Sequence, residues 1–197
     1  MRSPILIRKI NNMEKKILLN AFSDISSKVK LFFAENQSQF FMLLNKNNKE
    51  NYPEIFFVSK DLIKILDNSN LKSKIIFLGV YFGFIKRGRL HLSIEGGDFL
   101  NNKDLIPVEK KIKVNKEGEK AILYGNNIIK SMLAPSFFNH INSIQEGQIF
   151  FIFNVDDEIL CIGKASLNER KLNNIDEKNI LLFQNLSDKG IYLRIKQ

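Results

Sequence analysis

The sequence has few of the residues from which catalytic and metal sites are most often built. It contains one cysteine, Cys161, two histidines and no tryptophan. A single cysteine excludes an intrachain disulfide framework and a cysteine-rich zinc site. Two histidines leave few side chains that could act as general bases near neutral pH. Cys161 lies between two apolar residues, which indicates a buried small side chain rather than a nucleophile.

Long apolar runs are also absent from the sequence. No stretch approaches the roughly 20 apolar residues that a membrane-spanning helix needs. The longest runs, such as Ile149 to Phe153, are of strand length, and the apolar start of the chain is interrupted at Arg8, too early for a signal peptide. We therefore expect an intracellular protein without a membrane partner. Hydrophobic residues make up 44% of the 197 residues and charged residues 26%, as in folded globular proteins.

An excess of positive charge is the first indication of a partner. The chain carries 30 lysines and arginines against 21 acidic residues, a formal net charge of +9. Residues 1–108 hold 17 basic and 10 acidic side chains, whereas residues 109–197 hold 13 and 11. Such a balance favours polyanionic partners, of which nucleic acid is the commonest in a cell. Long-range attraction should come mainly from the first half.

Hydrophobic periodicity predicts an α+β first half with a mostly antiparallel sheet. Helices are expected over residues 13–25 and 60–66, the second of them capped by Ser59. Gly96-Gly97 is expected to interrupt the regular structure between the strand at 90–94 and a single helical turn at 98–102. The predicted strands cover residues 29–33, 40–44, 54–58, 75–84 and 90–94.

The second half has the pattern of a small β-barrel. Polar residues and Pro107 place a boundary near 105–110, so we predict two domains, 1–108 and 109–197. The predicted strands of the second domain cover residues 111–114, 128–133, 149–153, 159–165, 179–183 and 190–195. One short helix is expected at 117–123. Short strands separated by turns, with little helix, are typical of such a barrel.

Enzyme signatures are absent from the sequence. We find no Walker-type phosphate loop, no dinucleotide-binding Gly-x-Gly-x-x-Gly after a strand and no Gly-x-Ser-x-Gly elbow. His91 alternates with leucines in a predicted strand and is expected to face solvent. Asp156-Asp157-Glu158 is interpreted as a hairpin turn rather than as a metal or acid–base site. The pattern favours a non-catalytic binding protein that needs no metal and no cofactor.

The last predicted strand offers a basic face beside an aromatic residue. Alternation along a strand places Tyr192, Arg194 and Lys196 on one side and directs Leu193 and Ile195 towards the core. A phenol ring beside two cations can stack a base and hold phosphates. This face is therefore a candidate RNA-binding surface.

Other basic groups recur in turns and on strand faces. Lys86-Arg87-Gly88-Arg89 forms the predicted turn of a hairpin, and Lys110-Lys111-x-Lys113 opens the second half with Lys111 and Lys113 on one strand face. Further basic residues at or near predicted strand ends of the second half are Lys130, Lys164, Arg170 and Lys171.

Motifs in the second half resemble those of one protein family. The motifs are Lys113-Val114, Gly118-Glu119, Ala121, Leu123-Tyr124-Gly125-Asn126 and Lys130-Ser131, followed by Gly163-Lys164-Ala165, Phe183-Gln184 and Gly190-x-Tyr192-Leu193-Arg194. They resemble the PUA domain of the archaeal and eukaryotic Nip-seven family of ribosome-biogenesis factors. The end of that family's N-terminal domain is similar to Leu78-Gly79-x-x-Phe82-Gly83, Arg89-Leu90-His91-Leu92 and Asp98-Phe99-Leu100.

The resemblance implies an α+β N-terminal domain and a C-terminal PUA pseudo-barrel that binds RNA without catalysis. It implies a role in pre-rRNA processing and in biogenesis of the large ribosomal subunit. The partners it implies are pre-rRNA, U-rich or AU-rich single strands, pre-ribosomal proteins and the exosome. It further implies a cytoplasmic location for an archaeal protein and a nucleolar one for a eukaryotic protein, and we expect a monomer.

The expected RNA-binding residues come from the resemblance and from the strand patterns. They are Gly125, Asn126, Lys130, Lys164, Arg170, Lys171, Tyr192, Arg194 and Lys196. The resemblance implies Gly125 and Asn126 because PUA domains bind RNA near their glycine-containing loop. A turn that needs a positive φ is an equally good explanation of Gly125. Lys196 is included on strand alternation alone.

Two other functions remain open from the sequence. An RNA-modifying enzyme with an appended PUA domain, such as a pseudouridine synthase or transglycosylase, would need a catalytic aspartate in the first half. Asp24, Asp61, Asp67 and Asp98 are available there, but none lies in such a motif. A translation-factor-like protein that binds the ribosome through its PUA domain is the third reading.

Overall fold

The structure is a computed structural model that describes residues 5–45, 52–67, 78–135, 144–166 and 179–194. The chain divides into two compact units, Met1–Leu105 and Ile106–Gln197. Residues 75–77 of the strand expected at 75–84 lie outside the described residues.

The first unit is built on a five-stranded antiparallel sheet in the order β1-β2-β3-β4-β5. Its strands are β1 (Ile5–Lys9), β2 (Phe40–Asn45), β3 (Glu54–Phe57), β4 (Val80–Lys86) and β5 (Arg89–Leu92). Its helices are α1 (Asn12–Ile25), α2 (Ser27–Asn36), α3 (Lys60–Asp67) and α4 (Ile94–Asn102). The predicted α+β class with a mostly antiparallel sheet is confirmed.

Apolar residues cover both faces of this sheet. On one face Phe22, Phe33, Phe40 and Phe82 form a cluster whose contacting ring centroids lie 5.1–6.0 Å apart. The opposite face has a second cluster of buried residues, namely Phe41, Leu43, Phe56, Val58, Leu66 and Leu78. Consecutive residues of a strand point to opposite faces, which explains why adjacent Phe40 and Phe41 serve different clusters.

The strand predicted at 29–33 is wrong, because this segment belongs to helix α2. The Ser26 hydroxyl accepts a hydrogen bond from the Val29 backbone N–H at 3.1 Å and so caps the helix. Val29 and Phe33 are buried on one side, as their four-residue spacing on a helix requires. Over so short a segment, alternating and helical spacing overlap, and the serine cap was the signal that distinguished them.

The interruption predicted at Gly96-Gly97 is also wrong, because both glycines lie within α4. The Ser93 hydroxyl accepts a hydrogen bond from the Gly96 N–H at 3.1 Å and starts the helix. A Cβ atom on Gly96 would lie 3.1 Å from the Phe82 Cα atom. The glycine therefore lets the helix approach β4 closely, which outweighs its weak helix propensity.

The second unit is a curved five-stranded sheet in the order β6-β8-β9-β10-β7. Its strands are β6 (Lys111–Lys113), β7 (Ile128–Ile129), β8 (Ile149–Phe153), β9 (Ile159–Ala165) and β10 (Leu181–Asp188). The helices among its described residues are α5 (Lys116–Leu123) and α6 (Ile191–Arg194). An antiparallel bridge joins Val114, after β6, to Leu133, beyond β7. The two ends of the strand order thereby meet, and the sheet closes on itself.

The barrel core confirms the alternation predicted for β6. Ile112 and Val114 are fully buried, whereas Lys111 and Lys113 are partly exposed. The strand predicted at 128–133 is shorter than expected, because β7 ends at Ile129 and a 3-10 turn follows at Lys130–Met132. The chain must leave the strand here to reach the Val114–Leu133 bridge.

Candidate nucleic-acid interface

The loop that follows α5 is shaped by Gly125. Its φ of 86° is in the left-handed region, where a residue without a Cβ atom is favoured. The Gly125 N–H donates to the Ile122 carbonyl at 2.7 Å, and the Asn126 N–H donates to the Ala121 carbonyl at 3.0 Å. These two bonds form a Schellman motif, which ends the helix and exposes the cap residue Tyr124.

Asparagine side chains tie this loop to strand β10. The Asn185 backbone N–H donates to the Asn127 Oδ1 atom at 2.9 Å, and the Asn185 Nδ2 atom donates to the Asn126 carbonyl at 3.3 Å. The same Nδ2 group donates to the Asp188 carboxylate at 3.0 Å. The conformation of Asn126 is therefore determined jointly by the helix end and by β10.

Arg194 joins the end of the described chain to the same network. Its guanidinium donates to both carboxylate oxygens of Asp188 at 3.0 and 3.1 Å and to the Leu123 carbonyl at 2.7 Å. The Asp188 side chain is only 6% exposed. Hydrogen bonds to Asp188 raise the pKa of Arg194 above its usual value. A Cβ atom on Gly125 would lie 3.1 Å from the Arg194 Cζ atom, so the glycine also makes room for the guanidinium.

Two tyrosines are exposed next to this network. Tyr124 is 69% exposed at the end of α5, and Tyr192 is 56% exposed in α6. We call Tyr124, Gly125, Asn126, Tyr192 and Arg194 the Gly125 surface. Large aromatic side chains that stay in solvent beside a cation suit base stacking. Tyr124 was missed as a candidate, although its place just before a helix-ending glycine is a sequence signal for exposure.

The terminal strand predicted at 190–195 is wrong, because residues 191–194 form helix α6. The Leu193 and Arg194 N–H groups both donate to the Gly190 carbonyl, at 3.0 and 3.1 Å, which closes a helical turn. Tyr192 and Arg194 are therefore about 200° apart around the helix rather than on one face. Leu193 is 64% exposed rather than in the core. The pattern of alternation was too short to distinguish a strand from a single helical turn.

Lys164 lies on the neighbouring part of the sheet. In β9 it is paired with Gln184 of β10, the residue that precedes Asn185. A cavity of about 500 Å³ opens here, and its lining residues are Glu146, Gly147, Lys164, Ala165, Ser166 and Gln184. Within the described part of the chain, the buried Ser166 hydroxyl has no hydrogen-bond partner. The strand partner of Lys164 is thus the neighbour in sequence of Asn185, which binds the Asn126 carbonyl.

The remaining basic candidates divide into two groups. Lys130 begins the 3-10 turn after β7, and its N–H donates to the Ile180 carbonyl at 3.0 Å, next to the start of β10. Arg170, Lys171 and Lys196 lie outside the described residues. The structure thus brings Gly125, Asn126 and Arg194 into one network and places Lys130 and Lys164 along β10.

The lysines that open the second unit pack against its surface. The Lys113 ammonium forms an ion pair with Asp157 at 2.7 Å. The Lys110 ammonium lies 4.7 Å from the centre of the Phe150 ring, and that of Lys111 lies 5.4 Å from the Phe153 ring. These contacts give this basic run a structural role at the edge of the sheet.

Three further features concern the thiol, the metal-ligating residues and the helix lengths of the described residues. Cys161 is fully buried, as predicted, and burial raises the pKa of its thiol. Across the described ranges, no group of three or more His, Cys, Asp or Glu residues could hold a metal ion. In the same ranges, no helix has the length and apolar character required to cross a membrane.

The sequence is similar to proteins of archaea and vertebrates over nearly its whole length. It is 27% identical over 187 residues to a UPF0113 protein of Archaeoglobus fulgidus, covering 95% of this chain and 94% of the relative. It is 25% identical over 191 residues to the 60S ribosome subunit biogenesis protein NIP7 homolog of Danio rerio, covering 95% of this chain and 97% of that one.

Solved structures show the same fold. A hypothetical protein from Pyrococcus horikoshii OT3 matches with a TM-score of 0.61 at 10% identity, covering 93% of this chain and 94% of that one. A conserved PUA domain protein from Thermoplasma acidophilum matches with a TM-score of 0.58 at 13% identity, covering 94% and 95%. The predicted PUA pseudo-barrel is confirmed.

A protein-family model also matches the sequence, and the match lies within the second unit. It is described as the UPF0113 PUA domain, and it spans residues 110–197, which include the Gly125 surface. This agrees with the names of the relatives, and the resemblance inferred from the motifs is confirmed. Residues 110–197 thus match the UPF0113 PUA domain, and the chain as a whole is similar to a UPF0113 protein and to a NIP7 homologue.

Proposed function

We propose that this protein binds RNA through the Gly125 surface and acts without catalysis in ribosome biogenesis. The observation that carries the proposal is the PUA family match over residues 110–197. A relative similar over 95% of this chain is named as a 60S ribosome subunit biogenesis protein, which supports the biological role. The relatives described above are named as a UPF0113 protein and as a ribosome subunit biogenesis protein, and neither name is that of an enzyme.

The finer part of the proposal concerns the RNA and the site. Pre-rRNA of the large subunit is the proposed target, with U-rich or AU-rich single strands as the preferred sequence. Bases stack on Tyr124 and Tyr192, while Lys130 and Lys164 contact phosphates along β10. Arg170, Lys171 and Lys196 are proposed as further phosphate contacts. Arg194 acts as a positioning residue, since its guanidinium is engaged with Asp188 and Leu123.

The division of labour and the setting are also proposed. Residues 109–197 act as the RNA-binding domain, and residues 1–108 form a domain that supplies further contacts with RNA or with pre-ribosomal proteins, including the exosome. The protein acts as a monomer where ribosomes are assembled, which is the cytoplasm in archaea and the nucleolus in eukaryotes.

Titration of a fluorescent oligouridylate tests the site. The Tyr124→Ala/Tyr192→Ala double variant should lose about 1–3 kcal/mol of binding for each base that stacks. The Tyr→Phe double variant keeps both rings and should bind like the parent. Val155→Ala serves as a control, because Val155 is an exposed apolar residue in the β8–β9 turn of the same unit. Unchanged binding by the alanine variant would contradict the proposed site.

Cross-linking to RNA in cells, followed by sequencing, tests the biological role. Large-subunit rRNA should dominate the recovered sequences if the protein acts in large-subunit assembly. Transfer RNA would instead favour an RNA-modifying role, and small-subunit rRNA would favour a translation-factor-like role.

A further inference from the structure

A row of stacked rings crosses the first unit, far along the sequence from the PUA domain. The Tyr52 and Phe84 rings are stacked with centroids 5.4 Å apart and an angle of 26° between their planes. The Phe84 and His91 rings are 4.9 Å apart and nearly parallel, at 3°. Phe84 of β4 lies directly opposite His91 of β5 in the sheet register. The three rings therefore form one stack that runs across the strands.

The stack ends at an exposed ring. Strand β5 is the last in the order β1-β2-β3-β4-β5 of the described sheet. His91 is exposed, whereas Phe84 and Tyr52 are half-buried. One face of the imidazole is covered by Phe84, and its other face is directed away from the stack. A planar group could extend the stack on that outer face.

Cations surround the stack. Lys86 is paired with Arg89 across the hairpin, as Phe84 is with His91. The two pairs are two residues apart along their strands, so all four side chains lie on one face. The Lys86 ammonium lies 4.6 Å from the centre of the Tyr52 ring. Arg87 and Arg89 are exposed at and beside the turn. Residues 80–92 contain three cations and no carboxylate. Glu54, opposite Phe84 on β3, is an acidic neighbour on this face.

The turn projects these arginines into solvent. Arg87 and Gly88 have positive φ values of 51° and 71°, as in the two-residue turns that suit a twisted hairpin. A Cβ atom on Gly88 would meet no atom within 4 Å. The turn thus stands clear of the rest of the described structure and can approach a large partner.

We propose that the Tyr52–Phe84–His91 stack with Lys86, Arg87 and Arg89 is a second binding surface for single-stranded RNA. A base stacks on the outer face of His91, and the arginines of the hairpin hold the adjoining phosphates. An exposed ring at the end of a stack can accept a nucleobase on its free face, and the cations attract a polyanion. An acidic protein segment would match the cations but would not require the exposed ring. This surface lies outside the PUA domain and is independent of the Gly125 surface.

The test uses the full-length chain and a fluorescent oligouridylate at several salt concentrations. Arg87→Ala/Arg89→Ala should weaken binding and reduce the slope of log K against log salt by about 1.4, which corresponds to two phosphate contacts. The matched control is Lys28→Ala/Lys30→Ala, which removes the same charge from exposed positions of α2 in the same unit. This control should keep the slope of the parent.

The ring is tested by a second pair of variants. His91→Ala should weaken binding by about 5- to 150-fold if one base stacks there. His91→Phe retains a flat ring and should bind within about 2-fold of the parent, as stacking tolerates any ring. Photo-cross-links between uridine and the parent should map to the peptide that contains His91. Thermal melting of the arginine variant, of the lysine control and of His91→Phe should match the parent, since these changes remove exposed cations or keep the ring that packs on Phe84.

Equal slopes for the arginine variant and the lysine control, or parental binding by His91→Ala, would overturn the proposal. If these variants keep RNA affinity while the Tyr124→Ala/Tyr192→Ala variant loses it, the Gly125 surface stands and this second surface fails. The reverse result would leave the hairpin as the main RNA site and contradict the Gly125 surface. Failure of the parent to bind oligouridylate would contradict both.

Discussion

The hairpin of the first unit and the Gly125 surface of the second use the same residue types in opposite ways. At the Gly125 surface the cation is engaged, since Arg194 binds Asp188 and Leu123, while Tyr124 and Tyr192 are exposed. At the hairpin Tyr52 and Phe84 are stacked on neighbours, while Arg87 and Arg89 are exposed. An arginine near a nucleic-acid site can therefore be either a contact or a support, and its partners distinguish the two roles.

The largest expected effect is on the free energy of unfolding when glycines of the two regions are replaced by alanine. A Cβ atom on Gly190 would overlap the Leu123 carbonyl oxygen, so Gly190→Ala should displace α6 and lower the free energy of unfolding by about 3 kcal/mol. Gly125→Ala should lower the free energy of unfolding by about 2 kcal/mol, because the alanine would need a positive φ and its Cβ atom would press on the flexible Arg194 guanidinium. Gly88→Ala meets only the φ cost of about 1 kcal/mol. Denaturant unfolding of the three variants measures these free energies. The prediction is contradicted if Gly88→Ala loses as much stability as Gly190→Ala.

The next prediction separates a supporting arginine from a contacting one. Arg194→Ala should lower Tm and also weaken RNA binding, because the loss of the guanidinium leaves the buried Asp188 carboxylate without its cation. Arg87→Ala/Arg89→Ala should weaken binding without a change in Tm, because exposed cations add little to folding. Melting and titration on the same preparations provide the comparison. An Arg194→Ala variant with parental Tm would show that its ion pair contributes nothing measurable.

The smallest effect concerns the ionisation of His91. Partial desolvation of the imidazole, followed by the positive charges of Lys86 and Arg89, lowers its pKa below the usual value. The unfolded chain therefore binds a proton at higher pH than the folded one, so the contribution of His91 to stability is present above the unfolded pKa and decreases as the pH falls towards the folded pKa. The pKa of Glu54 is raised by burial, which has the opposite effect on stability, so the global pH profile is a poor readout.

Nuclear magnetic resonance of the imidazole gives a direct measurement of this ionisation. The His91 pKa should lie below that of a free histidine, and Arg89→Ala should raise it by removing a nearby positive charge. Addition of oligouridylate should raise it further if phosphates approach the hairpin. A pKa unaffected by Arg89→Ala would indicate that the two side chains are not neighbours in solution.

Regular elements with several supporting signals could be predicted from the sequence. The helices near residues 13–25, 60–66 and 117–123 and the strands of the barrel core were found because apolar spacing and capping residues agree there. Two strand predictions that the structure replaces with helix, at 29–33 and 190–195, rested on patterns of about five residues. Such a segment fits either period, and only its hydrogen-bond partners determine its structure.

The sequence by itself determined the PUA character of the second half and the excess of positive charge, because both depend on local motifs and composition. Tertiary structure decided which charges are paired within the fold and which stay exposed. Arg194 and Asp188 are six residues apart, but the Leu123 carbonyl that completes their network comes from 71 residues earlier. Tyr52, Phe84 and His91 likewise meet only through sheet pairing. Contacts between distant segments depend on strand register and helix ends, which local sequence patterns do not specify.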